Sequence, residues 1–150
     1  MKTITVSNGD IQLQNGKIQF AVGSDKLIQD LQRWLTEPLG TGFTTPGFGS
    51  LLSNYIGQPQ TPGSTSVVEN EVIRVLQLYI GQQGLDLQAS QSSVQLANWN
   101  RSEIIQKVYS INSSVQATAV IVNVVVLTLN NNLINLNIFI NNNGVSVTNG

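Results

Sequence analysis

Apolar and polar positions along this chain change period several times, and each change marks a different kind of element. In "DIQLQNGKIQF" (Asp10 to Phe20) the two classes alternate on either side of Asn15-Gly16. Alternation is the period of a half-buried strand, and Asn-Gly supplies the two positive-φ residues of a type I′ turn, so an N-terminal β-hairpin is predicted. From Ser24 to Thr36 the period becomes helical, with Leu27, Ile28, Leu31, Trp34 and Leu35 on one face. Ser24 is placed to cap this helix, Asp25 lies in its first turn, and Pro38 and Gly40 stop it.

A nearly uncharged loop, "TEPLGTGFTTPGFGSLL" (Thr36 to Leu52), comes next. Phe48, Leu51, Leu52, Tyr55 and Ile56 predict a short helix at its end, and Gln58 to Ser66 reads as a polar Pro/Gly linker. Ser66-Val67-Val68-Glu69 has the spacing of a capping box. The inward stripe that follows, Val68, Val72, Val75, Leu76 and Tyr79, is expected to end at Gly81 or Gly84. Leu85 to Leu96 is polar and expected to be largely irregular. Asn100-Arg101-Ser102-Glu103 repeats the capping-box pattern and predicts another helix, with Ile104, Ile105, Val108 and Tyr109 facing inward.

From Ser113 onward the period is two. Val115, Ala117, Ala119, Ile121, Val125, Leu127 and Leu129 fall on one face, and Val120, Val122, Val124 and Val126 on the other. The expectation is one long strand whose centre is buried from both sides. Asn130 to Asn132 turn the chain, and Ile134, Leu136, Ile138 and Ile140 then share a face. "NNNG" turns it again before a last short strand, "VSVT". The fold class expected is α+β over a single domain, residues 1–150: an N-terminal β-hairpin, three to four helices and a C-terminal antiparallel sheet that the hairpin is a candidate to join.

Composition narrows the chemistry. Charged residues make up 10% of the chain against a usual value of about 25%. The net charge is −1 and the seven basic residues are scattered, which does not suit a nucleic-acid partner. With no cysteine and no histidine, thiol chemistry, the commonest transition-metal ligands and the commonest general base are all missing. The start, "MKTITVSNGD", lacks the apolar core of a signal peptide, and "AVIVNVVVL" is far short of a membrane span. A chain made in a cytoplasm, without a membrane partner, is the expectation.

Gly42-Phe43-Thr44-Thr45-Pro46-Gly47 has the glycine spacing of a phosphate-binding loop, but Phe48 and Gly49 stand where Lys and Ser or Thr are needed. Pro46 also removes an amide from such a nest. The acids Asp10, Asp25, Asp30, Glu37, Glu69, Glu71, Asp86 and Glu103 are dispersed, which argues against an oxygen-ligated metal. Glycoside hydrolysis needs only two facing carboxylates. Glu69 and Glu103 have capping duties, Glu69 and Glu71 point to different helix faces, and Glu37 reads as a surface charge. Trp34 sits at core spacing. Trp99 reads as a packing residue or as a sugar-stacking platform. No catalytic residue, cofactor or metal is expected.

No charged side chain occurs from Val108 to Gly150. Exposed strand edges are usually guarded by lysine or proline, and neither is present here. Two readings follow: the chain's own helices cover the sheet, or another chain completes an open edge.

"LIQDLQRWLTEPLGTGFTTPGFGSLLSNYIG", followed by the linker and "ENEVIRVLQLYI", resembles the baseplate wedge family of contractile phage tails, once labelled tail lysozyme-like. The resemblance rests on a helix ending in a Thr36-x-x-x-Gly40 turn and on Pro46-Gly47-Phe48-Gly49-Ser50 leading into Leu51 and Leu52. Many members carry Glu-Pro-Arg after the long helix, where this chain reads "GQQGLDLQASQSS". The resemblance implies a non-enzymatic structural subunit of the virion, made in the host cytoplasm and present in several copies in a ring around the tail tube. Its implied partners are other wedge proteins, the tail tube and tail sheath subunits, whose strands its C-terminal sheet would accept. Pro46, Phe48, Gly49, Val124, Val126, Ile138, Phe139 and Ile140 are the interface residues expected on that reading. The rival readings are a peptidoglycan hydrolase of a phage tail and a small secreted carbohydrate-binding module acting through Trp99.

Overall fold

The computed structural model describes residues 2–7, 10–59, 61–90 and 99–150. The first part folds into six strands of two residues each: β1 (Thr3–Ile4), β2 (Val6–Ser7), β3 (Asp10–Ile11), β4 (Leu13–Gln14), β5 (Lys17–Ile18) and β6 (Phe20–Ala21). β2 pairs β3, β4 pairs β5 and β1 pairs β6, all antiparallel. Between the paired halves, Thr5 N–H donates to Gln19 O (2.9 Å), Gln12 N–H to Thr5 O (2.9 Å) and Gln19 N–H to Gln12 O (3.0 Å), closing a ring. Three two-stranded arms therefore meet at a pseudo-threefold centre. The cause is a seven-residue repeat, Ile4-Thr5-Val6, Ile11-Gln12-Leu13 and Ile18-Gln19-Phe20. The predicted hairpin is one of these arms, turning at Asn15 (φ 53°) and Gly16 (φ 72°). It pairs with no strand of the C-terminal sheet.

Helix α1 (Gly23–Thr36) buries Leu27, Leu31 and Leu35 completely and half-buries Ile28 and Trp34, the stripe expected from spacing. Its start differs from the expectation. Ser24 lies inside the helix, and the cap position is Val22, which offers no side-chain hydrogen bond. Close packing takes the place of a cap: Gly23 has φ 60°, and a Cβ there would stand 2.7 Å from Ser102 Oγ. At the other end, Ser50 Oγ donates to Leu35 O (2.6 Å), Ser50 N–H to Glu37 O (2.8 Å) and Leu39 N–H to Ser50 O (2.9 Å). These bonds tie the two ends of the Gly-rich loop together. Gly49 (φ 107°) is required there, since a Cβ would come within 2.6 Å of Glu37 O. The short helix after the loop is a 3-10 turn, Leu52–Tyr55, with Leu52 buried.

Helix α2 (Pro62–Ser90) spans 29 residues, longer at both ends than its stripe suggests. Its start is at Pro62 rather than Ser66. Proline at the first helical position loses no hydrogen bond, and Thr61 N–H donates to Ser64 Oγ (3.1 Å). Glu69 is therefore not a capping-box residue; its Oε2 accepts from Ser113 Oγ (2.6 Å). Neither Gly81 nor Gly84 ends the helix. Gln83, buried between them, donates to Glu103 O (2.7 Å) and accepts from Ile105 N–H (3.1 Å), anchoring the later turns. Residues 85–90, expected to be irregular, are thus helical, and 91–96 lie outside the described residues.

The capping box at Asn100 and Glu103 forms as predicted but opens only a 3-10 turn, Arg101–Glu103. The predicted helix beyond it is strand β7 (Ile105–Gln116), so the described residues hold two α-helices. Register shifts between Ile105 and Lys107 and between Val108 and Ser110 interrupt its alternation. These bulges gave the segment a spacing that resembles a helical one. Tyr109, predicted to face inward, is exposed.

Strands β8 (Ala119–Thr128), β9 (Leu133–Asn141) and β10 (Gly144–Asn149) complete an antiparallel meander in the order β10-β9-β8-β7. The expected single strand from Ser113 to Leu129 is therefore a hairpin, broken where Ala117 adopts φ 46°. Val120, Val122, Val124 and Val126 pack with Ile134, Leu136, Ile138 and Ile140 against α1 and α2, and this layer is the core. Each such side chain contributes about 1.5–3 kcal/mol on burial. The opposite face is only partly covered, with Asn123 exposed and Ile121, Val125 and Leu127 half-buried. The sheet is buried from one side, not two.

Candidate functional site

The sheet has two edges. The edge of β10 is met by α1, whose Gln32 Nε2 donates to Val147 O (3.1 Å). At the start of β7 Gln83 takes both Glu103 O and Ile105 N–H, and in its middle Ser113 Oγ donates to Glu69 Oε2 on α2 (2.6 Å). From Gln106 to Gln116, among the described residues, no main-chain hydrogen bond reaches its outer side. Lys107 at the beginning is the one charge along it, its ammonium 6.0 Å from the Tyr109 ring.

The outer face next to that edge is polar along its middle. Asn112 lies opposite Asn123, Asn123 opposite Asn137, and Asn137 opposite Thr148, a row that crosses all four strands. Amide side chains stacked in this way offer donors and acceptors to a further strand without any charge to desolvate. The chemistry available here is therefore main-chain pairing extended by side-chain amides.

The residues expected at an interface fall into three groups. Val124, Val126, Ile138 and Ile140 are core side chains on the two inner strands, facing the helices. Phe139 is half-buried on the outer face, opposite Ile121 and Ser146. In the loop Pro46 is exposed, Gly49 is buried, and Phe48 packs edge-on against Trp34 (4.7 Å between ring centres) beneath the Arg33 guanidinium (5.2 Å). Phe48 thus fills a place in its own chain. Sequence reading missed the edge of β7, because the bulges disguised the strand.

A cleft of about 180 Å³ opens between the helices, lined by Asp30, Trp34, Tyr79, Gln82, Asp86 and Trp99 among others. Its polar groups are committed internally. Asp30 pairs with Lys26 and accepts from Tyr79 Oη (3.3 Å), and Asp86 accepts from Gln82 Nε2 (2.8 Å). Burial pushes the Tyr79 phenol far above its ordinary range, and the negative charge of Asp30 adds to the effect. Tyr79 is therefore a neutral hydrogen-bonding group under all ordinary conditions.

Three further carboxylates, Glu71, Glu103 and Glu37, bond within the chain. Glu71 is buried and accepts from Leu51 N–H (2.7 Å) and from Arg74 through two bonds (2.6 and 2.8 Å). Burial pulls its carboxyl upward, but the Arg74 and Leu51 hydrogen bonds and the Arg74 charge outweigh this and hold it below the usual range. Glu103 is fully buried, with Oε1 accepting from Asn100 N–H (3.0 Å). Glu37 accepts from Thr41 Oγ1 (3.3 Å). Among the described residues no group of three His, Cys, Asp or Glu stands close enough to hold a metal ion, and no helix is long and apolar enough to cross a membrane. The chain matches no family model, no curated protein and no solved structure.

Proposed function

We propose that this chain is a non-enzymatic structural subunit of a contractile phage tail baseplate, packing in the wedge around the tail tube and templating sheath attachment by β-strand exchange. The observation that carries the reading is the almost uncharged edge of β7, which from Gln106 to Gln116 takes no main-chain hydrogen bond on its outer side from the described residues. An edge of this kind is an aggregation hazard for a free protein and a docking rail for an assembled one. The tied Gly-rich loop that carries Pro46-Gly47-Phe48-Gly49-Ser50 supports the same reading through its likeness to the wedge family.

Lys107 provides the test, since its amine stands at the start of the edge. In purified tailed particles containing this chain, amine cross-linking and mass spectrometry are expected to join Lys107 to a sheath subunit. Absence of the chain from particles, or links from Lys107 only to its own chain, would refute the proposal. Clearing of a cell-wall suspension by the purified protein would favour the hydrolase instead.

A further inference from the structure

The three-armed N-terminal unit is built with its apolar side outward. Residues two apart in a strand share a face, and so do residues directly opposed across a pair. Ile4 opposes Phe20, Val6 opposes Ile11, and Leu13 opposes Ile18. Ile4 and Val6, Ile11 and Leu13, and Ile18 and Phe20 are each two apart. All six therefore lie on one side of the unit. Their exposures, 38% to 63%, agree. Thr5, Gln12 and Gln19 are half-buried, and the buried Ala21 looks towards α1. α1 holds the unit from that reverse side: Gln29 accepts from Val6 N–H (3.0 Å) and donates to Ile4 O (2.7 Å).

Six such side chains, each about half exposed, present on the order of 500 Å² of apolar surface in one patch, near the upper end for a monomer. Two of these faces laid together remove about 1,000 Å² from water, the area at which a specific interface begins. With a net charge of −1, the chain offers little general repulsion to its own copies. We propose that this apolar face pairs with the same face of a second copy of the chain, forming a twofold dimer through the N-terminal arms. The proposal is independent of the tail reading, because it uses neither the C-terminal sheet nor the Gly-rich loop.

Sedimentation equilibrium of the full chain tests it. The mass is expected to rise with concentration from 16.2 kDa to twice that value. Leu13→Glu and Ile11→Glu, both at exposed positions, should each hold the protein at the monomer mass with an unchanged melting temperature. A monomer at every concentration overturns the proposal, as does a dimer that survives both glutamate variants.

Discussion

Glu71 shows how one residue reports on its surroundings through pH. Its folded carboxyl titrates below its ordinary 4.5, so it adds stability that is present above the ordinary value and lost as pH falls through the folded one. Glu71→Gln removes the Arg74 pairing and weakens the Leu51 bond. The expected result is about 1 kcal/mol less stability at neutral pH and a flatter acid limb, measured by urea unfolding from pH 7 downward. An equal loss at pH 3 and pH 7 would contradict this. None of it was legible in the sequence, where Glu71 is one dispersed acid among several, because its partners come from the loop at Leu51 and from the next helical turn. The aliphatic positions were legible: Leu27, Leu31, Leu35, Val68, Val72, Val75 and Leu76 are all fully buried where their spacing placed them.

At the level of elements, periodicity found the inner faces of α1, α2 and β9, and local punctuation misplaced the ends. Gly81 and Gly84 look like helix stops, yet α2 runs through both because Gln83 is fastened to Glu103 and Ile105. Tertiary hydrogen bonds here overrule a propensity penalty of about 1 kcal/mol per glycine. That penalty is recoverable. Gly84 is exposed with open space where a Cβ would stand, so Gly84→Ala should raise stability by about 0.5–1 kcal/mol without altering the fold. A denaturation midpoint that falls would show the helix is not continuous there. The converse error occurred at Asn100, where a correct capping box was read as the start of a full helix. A cap satisfies the first amides but says nothing of length, and the β-branched residues after it belong to a bulged strand.

For the whole molecule, the α+β layout was legible because its sheet and helices carry clean, different periods. The three-armed unit was not recognised from the hairpin, since each arm is stabilised by a ring of main-chain bonds that no local pattern announces. Its attachment to the body is slight, through Gln29 and the buried Ala21. A chain beginning at residue 22 is therefore expected to keep a cooperative thermal transition, with stability changed by no more than about 1 kcal/mol. Loss of cooperative unfolding would mean that the arms belong to the core.

Every carboxylate side chain of the protein precedes Ile104, and from Val108 to the C-terminus Tyr109 is the only ionisable side chain. The sheet is consequently indifferent to acidity, while the layer lying over it is latched by groups such as Glu71 that respond to it. Acid should unfasten the cover first, leaving a bare four-strand panel, charged only at Lys107, whose next partner is whichever β-edge it meets.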